Sequence, residues 1–389
     1  MSSIVLSASV RQNLLSLQST AALLATTQND LATGNKVNSA LDNPTNFFTA
    51  QGLNNRASDI GNLLDSIGNG VQVLQAANTG LTSLQSLVDT AKSIANQVLQ
   101  APAGYTAHST ATTAAALPVG STSTNLVDGT AIKSGETLSI AATGGGTATS
   151  FTFGATTSLA QLNTALAANN LTASLDSSND LVLTTTNDVA SSTIGAITIG
   201  GTSGSATFGA PTAPVADAAS QAVRTSLVNQ YNNIITQIST TAADSSFNGI
   251  NLLNGDNLKL TFDETGKSTL NITGVTFNAA GLGLASLTVG TDFLDNSSAN
   301  AQLAQLSSAS TVLRTEASAL GSNLSVVQLR QDFNKNLINV LQTGASNLTL
   351  ADPNQEAANS QALSTRQSIA VSALALANQS QQSVLQLLR

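Results

Sequence analysis

Residues 10–31 of the chain read VRQNLLSLQSTAALLATTQNDL, with apolar side chains at alternating intervals of four and three residues. This spacing is typical of a helix that packs along one stripe against another helix. Gln28 interrupts the stripe, the pattern ends at Gly34, and the turn residues of 42–44 follow. We predict that the stripe packs in a core or between subunits; its members are Val10, Leu14, Leu17, Ala21, Leu24 and Leu31.

A longer stripe with near-heptad spacing occupies residues 60–98. No proline lies between Pro44 and Pro102, so the pattern predicts about fifty residues of uninterrupted helix, roughly 75 Å long. Pro44 suits the first turn of that helix. Helices of this length are typical of rods and bundles. The stripe consists of Ile60, Leu64, Ile67, Val71, Leu74, Leu81, Leu84, Val88, Ala91, Ala95 and Val98.

The middle of the chain changes to a strand-like period. Residues 102–214 are rich in Thr, Ser, Ala and Gly and contain short alternating runs such as LVLTT at 181–185. Residues 177–180 indicate a hairpin turn, and residues 158–167 indicate a short helix. These signals predict a small α+β module.

Helical patterns return in the last part of the chain, around a β-hairpin predicted at 258–272. The predicted helices cover 217–243, 298–345 and a segment after Pro353. Their apolar positions are Val223, Leu227, Tyr231, Ile234 and Ile238, then Leu303, Leu306, Leu313, Leu320, Leu324 and Val327. In the last helix the predicted packing residues are Ala370, Leu374, Ala377, Val384, Leu385 and Leu388.

The fold class predicted from these patterns is mainly α with β parts. Both chain ends form a long coiled-coil or bundle rod, which carries a β-hairpin and an inserted α+β outer module. The expected domains are an inner helix and turn at 1–43, a rod helix at 44–101, the insert at 102–214, a second rod helix with the hairpin at 215–297, a third rod helix at 298–350 and a last inner helix at 351–389.

Both terminal helices are nearly free of charge. Arg11 is the only charged side chain between residues 1 and 29, and only Glu356, Arg366 and Arg389 are charged after residue 353. Helices exposed to water usually carry a charged face, and isolated helices are marginal. Burying Gln or Asn costs less than burying a charge, so the uncharged faces suit contacts with neighbouring copies. An ordinary coiled coil within one chain explains the stripes but leaves the missing charges unexplained.

The composition argues against several other classes of function. The net charge of −8 disfavours binding to nucleic acid, and the absence of cysteine excludes disulfides and thiolate metal sites. The first residues are typical of neither a cleavable secretory signal nor a membrane span. The single histidine, His108, leaves no histidine pair for zinc, and we predict no enzyme activity, catalytic residue, metal or cofactor. Gly144–Gly146 lacks the lysine of a phosphate loop, and Asp42 and Asp59 are expected to cap helices or face solvent.

Four motifs resemble bacterial flagellin: LATGNKVNSALDN at 31–43, SIGNGVQVLQAANTGL at 66–81, FNGINLL at 247–253 and SQQSVLQLLR at 380–389. The resemblance covers about 1–100 and 217–389. It implies an extracellular subunit that polymerises with itself into the helical flagellar filament for swimming. Its terminal helices would form an inner tube and its longer helices a rod layer. The hairpin would match the one linked to protofilament switching.

The resemblance also implies partners and an export route. The partners are hook-associated junction proteins, the filament cap and an export chaperone, with no nucleic acid and no membrane. Monomers would leave unfolded through the flagellar type III channel, without a cleavable signal peptide, and their ends would be disordered before assembly.

Two features depart from the family pattern. The extra module interrupts the loop between the first two rod helices, whereas familiar flagellins carry outer domains after the hairpin. In the run that an innate immune receptor detects, Ser86 and Val88 replace two arginines, next to Gln85 and Asp89. This predicts weak or absent detection.

Two alternative functions remain open. Asp42-Asn-Pro44 favours a hook–filament junction protein of the same family, whereas the C-terminal motif favours flagellin. A secreted adhesin would use the Thr-rich insert for binding.

Overall fold

The computed structural model describes residues 8–114, 122–201 and 206–387, without the side chains of 381 and 384–387. The chain divides into two compact units, each of which is built from several segments. The first unit contains Met1–Val71, Lys259–Leu270 and Ser325–Arg389, and the second contains Gln72–Leu258 and Asn271–Leu324.

Most described residues lie in six helices, which confirms the mainly helical fold class. The two longest, α2 and α5, have 57 and 54 residues. The helices are α1 (Ala8–Thr33), α2 (Pro44–Gln100), α3 (Leu159–Leu166), α4 (Ala218–Asp244), α5 (Asn296–Thr349) and α6 (Pro353–Leu387).

Short polar residues begin the long helices. Asn43 Oδ1 accepts a hydrogen bond from the backbone N–H of Asn46 at 3.0 Å, and Asp352 Oδ1 accepts one from Asn354 at 2.9 Å. Each of these caps precedes a proline, which needs no N–H partner in the first turn of α2 or α6. The end of α1 is also encoded locally, because Gly34 follows it with φ +72°, a conformation that glycine adopts without strain.

The heptad stripe of α2 is buried, as the sequence pattern predicted. Ten of the eleven stripe residues are buried, and Leu64 is half-buried. In the first unit, Ala57 and Ile60 of α2 pack against Leu341 of α5. In the second, Gln85 donates to Ser310 Oγ of α5 at 2.8 Å. The face of α2 that carries the buried stripe therefore packs in both units, with Gln85 beside stripe residue Leu84.

Gly80 of α2 allows close packing within the second unit. A Cβ atom at this position would overlap the Ser245 hydroxyl and lie 2.7 Å from Leu253 Cδ1. The Ser245 hydroxyl is held by a hydrogen bond to Thr241 O at 2.6 Å, so it cannot move away freely.

Replacing Gly80 with alanine should therefore destabilise the protein by about 1–3 kcal/mol, because the overlap outweighs the better helix propensity of alanine. Gly321 lies on α5 of the same unit, where an added Cβ meets no atom within 4 Å. Gly321→Ala should stabilise by up to about 1 kcal/mol. Urea unfolding of both variants tests this, and two changes of the same sign would contradict it.

Between α2 and α4 the chain forms two antiparallel three-stranded sheets, with strand orders β2-β6-β5 and β4-β3-β7. The β5–β6 hairpin has its turn at residues 176–180, which confirms the turn predicted at 177–180. The strands are β1 (Tyr105–Ala107), β2 (Thr110–Thr112), β3 (Thr137–Ile140), β4 (Thr149–Thr152), β5 (Leu171–Leu175), β6 (Leu181–Thr185), β7 (Ile197–Gly200) and β8 (Val215–Ala216).

The insert has a hydrophobic core of its own. Alternate residues of β6 are buried, as expected for strands with one face in a core. Helix α3 contributes Leu162 and Leu166 to this core and begins with a capping box between Ser158 and Gln161. The short strands β1 and β8 pair at the base of the insert, where the N–H of Asp217 donates to Gly104 O at 2.9 Å. The chain thus enters and leaves the insert at adjacent points.

The predicted hairpin is present, as β9 (Leu258–Thr261) and β10 (Thr269–Ile272). Within the first unit, the buried amide of Asn334 on α5 donates to Phe262 O at 2.9 Å. Arg56 of α2 pairs with Glu264 in the hairpin turn at 2.7 Å. The hairpin is therefore fixed by polar contacts to both long helices.

Candidate functional site

Helices α1 and α6 pack against each other in antiparallel orientation within the first unit. Residues near Thr20 face residues near Arg366 across the pair, whereas Asp30 faces Glu356. On α6 the half-buried residues are spaced alternately by four and three positions, which is the spacing of a heptad seam. They are Glu356, Ser360, Leu363, Gln367, Ala370, Leu374 and Ala377.

Most predicted stripe residues of α1 lie in this seam. Val10 is buried, and Leu14, Leu17 and Leu24 are half-buried. Leu31 is 43% exposed, and Thr27 is buried in the last part of the seam. From Ala21 the seam takes two successive steps of three residues, to Leu24 and then to Thr27, where the predicted pattern took a step of four. Counting three residues on from Leu24, rather than four, would have found Thr27.

The predicted residues of α6 lie partly beyond the described side chains. Leu374 is half-buried in the seam, between Ala370 and Ala377. Val384, Leu385 and Leu388 lie outside the residues whose side chains the structure describes.

The base of the pair is fixed by backbone hydrogen bonds between the segments that follow α1 and precede α6. Lys36 N donates to Thr349 O at 2.8 Å, and Ala351 N donates to Gly34 O at 3.0 Å. Asp42 closes the adjoining turn by accepting from the backbone N–H groups of Asn38 and Ser39. These hydrogen bonds lower the pKa of Asp42, as expected for a carboxylate that caps a turn.

The outer faces of α1 and α6 carry apolar side chains in contact with solvent. Leu15 and Leu376 are each 70% exposed, although both helices have almost no charged residues. Exposed large apolar side chains grouped on one pair of helices are typical of an interaction site. Among the side chains that the structure describes on these two helices, the other large apolar residues exposed are Leu23, Leu31, Ile369 and Val371.

Charge on the pair is concentrated at its base. The pKa of Asp30 is raised by partial burial, and next by the carboxylates of Glu356 and Asp42, although a hydrogen bond from Asn38 opposes the shift. Negative charge is therefore in excess at this end of the pair within a single chain.

A second cluster lies in the second unit, where the insert joins α2, α4 and α5. Arg224 is only 2% exposed, and its guanidinium donates to Pro102 O at 2.9 Å, to Phe293 O at 2.8 Å and to Ala101 O at 3.3 Å. Burial lowers the pKa of Arg224, while the carboxylate of Asp295 opposes the shift. The guanidinium of Arg224 thus links the residues that follow α2 to the residues that precede α5.

Phe293 and Tyr231 complete this cluster. Phe293 has φ +60°, an unusual conformation for a bulky residue, and its ring meets that of Tyr231 edge-on at 5.8 Å. Burial raises the pKa of Tyr231 to about 12. The sequence pattern missed Arg224 and instead included Val223, which is exposed. A single charged residue beside an apolar one gives no local signal that it is the buried member.

The run compared with the receptor-detection motif lies on α2. Val88 is fully buried, whereas Ser86 and Asp89 are exposed. Gln85 is half-buried and donates to Asp89 Oδ1 at 3.1 Å as well as to Ser310. One of the two positions that carry arginine in the motif thus points into the helix packing.

Within the described residues, no cluster of three or more metal-ligating side chains occurs. His108 lies between β1 and β2, with its Nδ1 2.7 Å from Thr185 O. Among the helices that the structure describes, none is long and apolar enough to span a membrane.

Comparison with known proteins agrees with the arrangement of the two ends. Residues 4–117 match the family model described as the bacterial flagellin N-terminal helical region. Residues 303–388 match the model described as the bacterial flagellin C-terminal helical region. Together the two matches cover about half of the chain.

Individual proteins similar to this chain are also named flagellins. Flagellin FljM of Caulobacter vibrioides is 30% identical over 164 residues, which is 42% of this chain and 59% of FljM. Flagellin FljK of the same organism has the same identity and coverage. Flagellin A of Rhizobium meliloti is 37% identical over 90 residues, 23% of each chain. The chain thus spans less than two thirds of the length of the Caulobacter relatives.

Both terminal regions match the family models, and the matched helices α1 and α6 pair in the structure. The chain therefore belongs to the bacterial flagellin family of filament structural subunits.

Proposed function

We propose that this chain assembles with copies of itself, through the paired helices α1 and α6, into an extracellular flagellar filament that serves motility. The observation that carries the proposal is the exposed apolar and nearly uncharged outer face of that pair. Burying one fully exposed leucine contributes about 1.5–3 kcal/mol. Several such residues per subunit, repeated along a polymer, suit a contact that does not close on itself.

The two terminal helices depend on each other and on neighbouring copies for stability. Most of their seam residues are only half-buried in the single chain, so their pairing alone leaves much apolar surface exposed. We expect the termini of a monomer to be poorly ordered until they assemble. Such ends suit export in an unfolded form, followed by folding at the growing tip.

We assign the remaining segments by the same reasoning. The predicted domains at 1–43 and 351–389 would form the inner layer, and those at 44–101, 215–297 and 298–350 would form the rod layer. The insert at 102–214 would face outward, since its core is formed by its own residues and needs no neighbouring copy. Besides copies of itself, the whole chain would have junction proteins, a filament cap and an export chaperone as partners in the flagellum. The chain would have a structural role and no catalytic one.

Electron microscopy of purified protein after seeding tests the proposal. Full-length chain should form long filaments, and chains trimmed of residues 1–30 or 355–389 should form none, because either trim removes one helix of the pair. A variant that lacks 105–216, with Gly104 joined to Asp217 through a short Gly-Ser linker, should still polymerise. The join is feasible because these two residues are already hydrogen-bonded. Absence of filaments from every version would contradict the proposal.

The two alternative functions differ from this proposal in measurable ways. A hook–filament junction protein, which the sequence Asp42-Asn-Pro44 favours, would be present as a short ring at the filament base. Immunogold labelling along the whole filament excludes that alternative. An adhesin would lose its activity when the insert is deleted, whereas a filament subunit should still polymerise.

Weak detection by the innate immune receptor stays a prediction. Purified monomer should give little activation in receptor reporter cells, because Ser86 and Val88 offer no guanidinium groups and Val88 is buried. A flagellin with both arginines serves as the positive control. Strong activation by the present chain would overturn the prediction.

A further inference from the structure

The charged residues of the α1/α6 pair are separated by sign along its axis. At the base lie Asp30, Asp42, Asp352 and Glu356, with Lys36 as the one cation among them. Beyond the base, at 8–29 of α1 and 357–387 of α6, the charged residues are Arg11 and Arg366 alone. Partial burial, and next the carboxylates of Glu356 and Asp42, raise the pKa of Asp30.

Arg366 lies in a groove between the two helices. The groove has a volume of about 420 Å³, and its other walls are uncharged, including Ser16, Thr20, Leu23 and Ile369. The structure records no ion pair for Arg366, Asp30 or Glu356 within the residues that it describes. Ten residues of helix, about 15 Å, separate Glu356 from Arg366, so the two cannot meet within one chain.

We propose that the groove around Arg366 of one copy receives the acidic base of a second copy, the segment around Asp30 and Glu356, and that this contact sets the axial offset between subunits. The inference rests on the proposed self-assembly and adds a determinant of register to it.

The charge and shape of the Arg366 groove indicate which group binds there. A guanidinium in an otherwise uncharged groove pairs best with a carboxylate, and its planar fork can bind one through two hydrogen bonds. The base of the same helix pair offers carboxylates without a recorded cation partner. When a neighbouring copy is shifted along the helix axes, its acidic base lies beside the Arg366 groove of the first copy. The same shift repeats from copy to copy without closing, as a filament requires.

Charge-reversal variants of the full chain test the contact. Arg366→Glu and Glu356→Arg, each alone, should raise the critical concentration for seeded polymerisation by about tenfold, since each places like charges together. The double variant should polymerise within about threefold of the unmodified chain, because the pair is restored with its signs exchanged. A control combines Arg366→Glu with Asp188→Arg, an exposed position of the insert. It restores the net charge but not the contact, and should stay as impaired as Arg366→Glu alone.

The outcomes separate this inference from the proposed function. Filaments from the unmodified chain together with unaffected single variants would overturn the contact and leave self-assembly standing. Equal rescue by the Asp188→Arg control would also overturn it, because net charge alone would then explain the effect. Failure of the unmodified chain to polymerise would overturn both. Rescue by the double variant alone supports the contact.

Discussion

Replacing Leu23 with aspartate should raise the critical concentration for polymerisation by more than about a hundredfold. The side chain is 54% exposed on the outer face of α1, beside the groove of Arg366. Burying the exposed half of this side chain between copies contributes about 1 kcal/mol. A carboxylate in its place costs several kcal/mol to bury, and beside Arg366 it would occupy the guanidinium that the neighbouring copy is proposed to bind. A loss of about 3 kcal/mol corresponds to more than a hundredfold in affinity. Sedimentation of seeded protein over a concentration series measures the change.

The matched control for this variant is Val215→Asp. Val215 is 55% exposed, so a similar fraction of apolar side chain is replaced by the same charge, but it lies at the base of the insert. We expect no more than about a twofold change in critical concentration, in line with the small effect of most surface substitutions. If both variants polymerise equally well, the outer face of α1 is not the assembly surface.

Replacing Arg224 with alanine should lower the free energy of unfolding of the second unit by about 3–5 kcal/mol. The change leaves a cavity and removes the donors of three carbonyl oxygens, those of Ala101, Pro102 and Phe293. It also removes a contact that holds Phe293 at its positive φ. Tyr105 and Tyr231 are the only tyrosines, tryptophan is absent, and both tyrosines belong to this unit. Urea unfolding followed by tyrosine fluorescence therefore reports on it directly.

Two further variants sharpen this test. Arg224→Lys keeps the positive charge but loses the planar fork, so its stability should fall between those of the native chain and Arg224→Ala. Arg314→Ala removes an exposed arginine from α5 of the same unit and should change stability by less than about 0.5 kcal/mol. Equal stability of the Arg224→Ala and Arg314→Ala variants would show that the buried guanidinium does not stabilise the second unit.

Much of the fold could be predicted from the sequence because its signals are local and repeated. The stripe of α2 extends over eleven positions, so the error at Leu64 does not change which face is buried. Helix ends coincide with caps and prolines, as at Asn43-Pro44 and Asp352-Pro353. The β-hairpin and the α+β insert also follow from short alternating runs between turn residues.

The candidate site could be predicted only in part, since its residues depend on a partner helix. Both Leu31 and Thr27 fit an apolar or neutral face of α1, and only the path of α6 across that face decides that Thr27 is the buried one. The groove of Arg366 likewise exists only where α1 and α6 lie side by side.

By itself, the sequence determined the helices, their packing faces, the hairpin, the insert and the membership in the flagellin family. Each of these depends on the period and order of residues along one segment. The tertiary structure alone decided that Arg224 is buried while its neighbour Val223 is exposed, that Phe293 takes a positive φ, and that opposite charges lie at different levels of the α1/α6 pair. The physical reason is that burial, strain and electrostatic environment depend on atoms contributed by distant segments. No local pattern along the chain specifies where those atoms will lie.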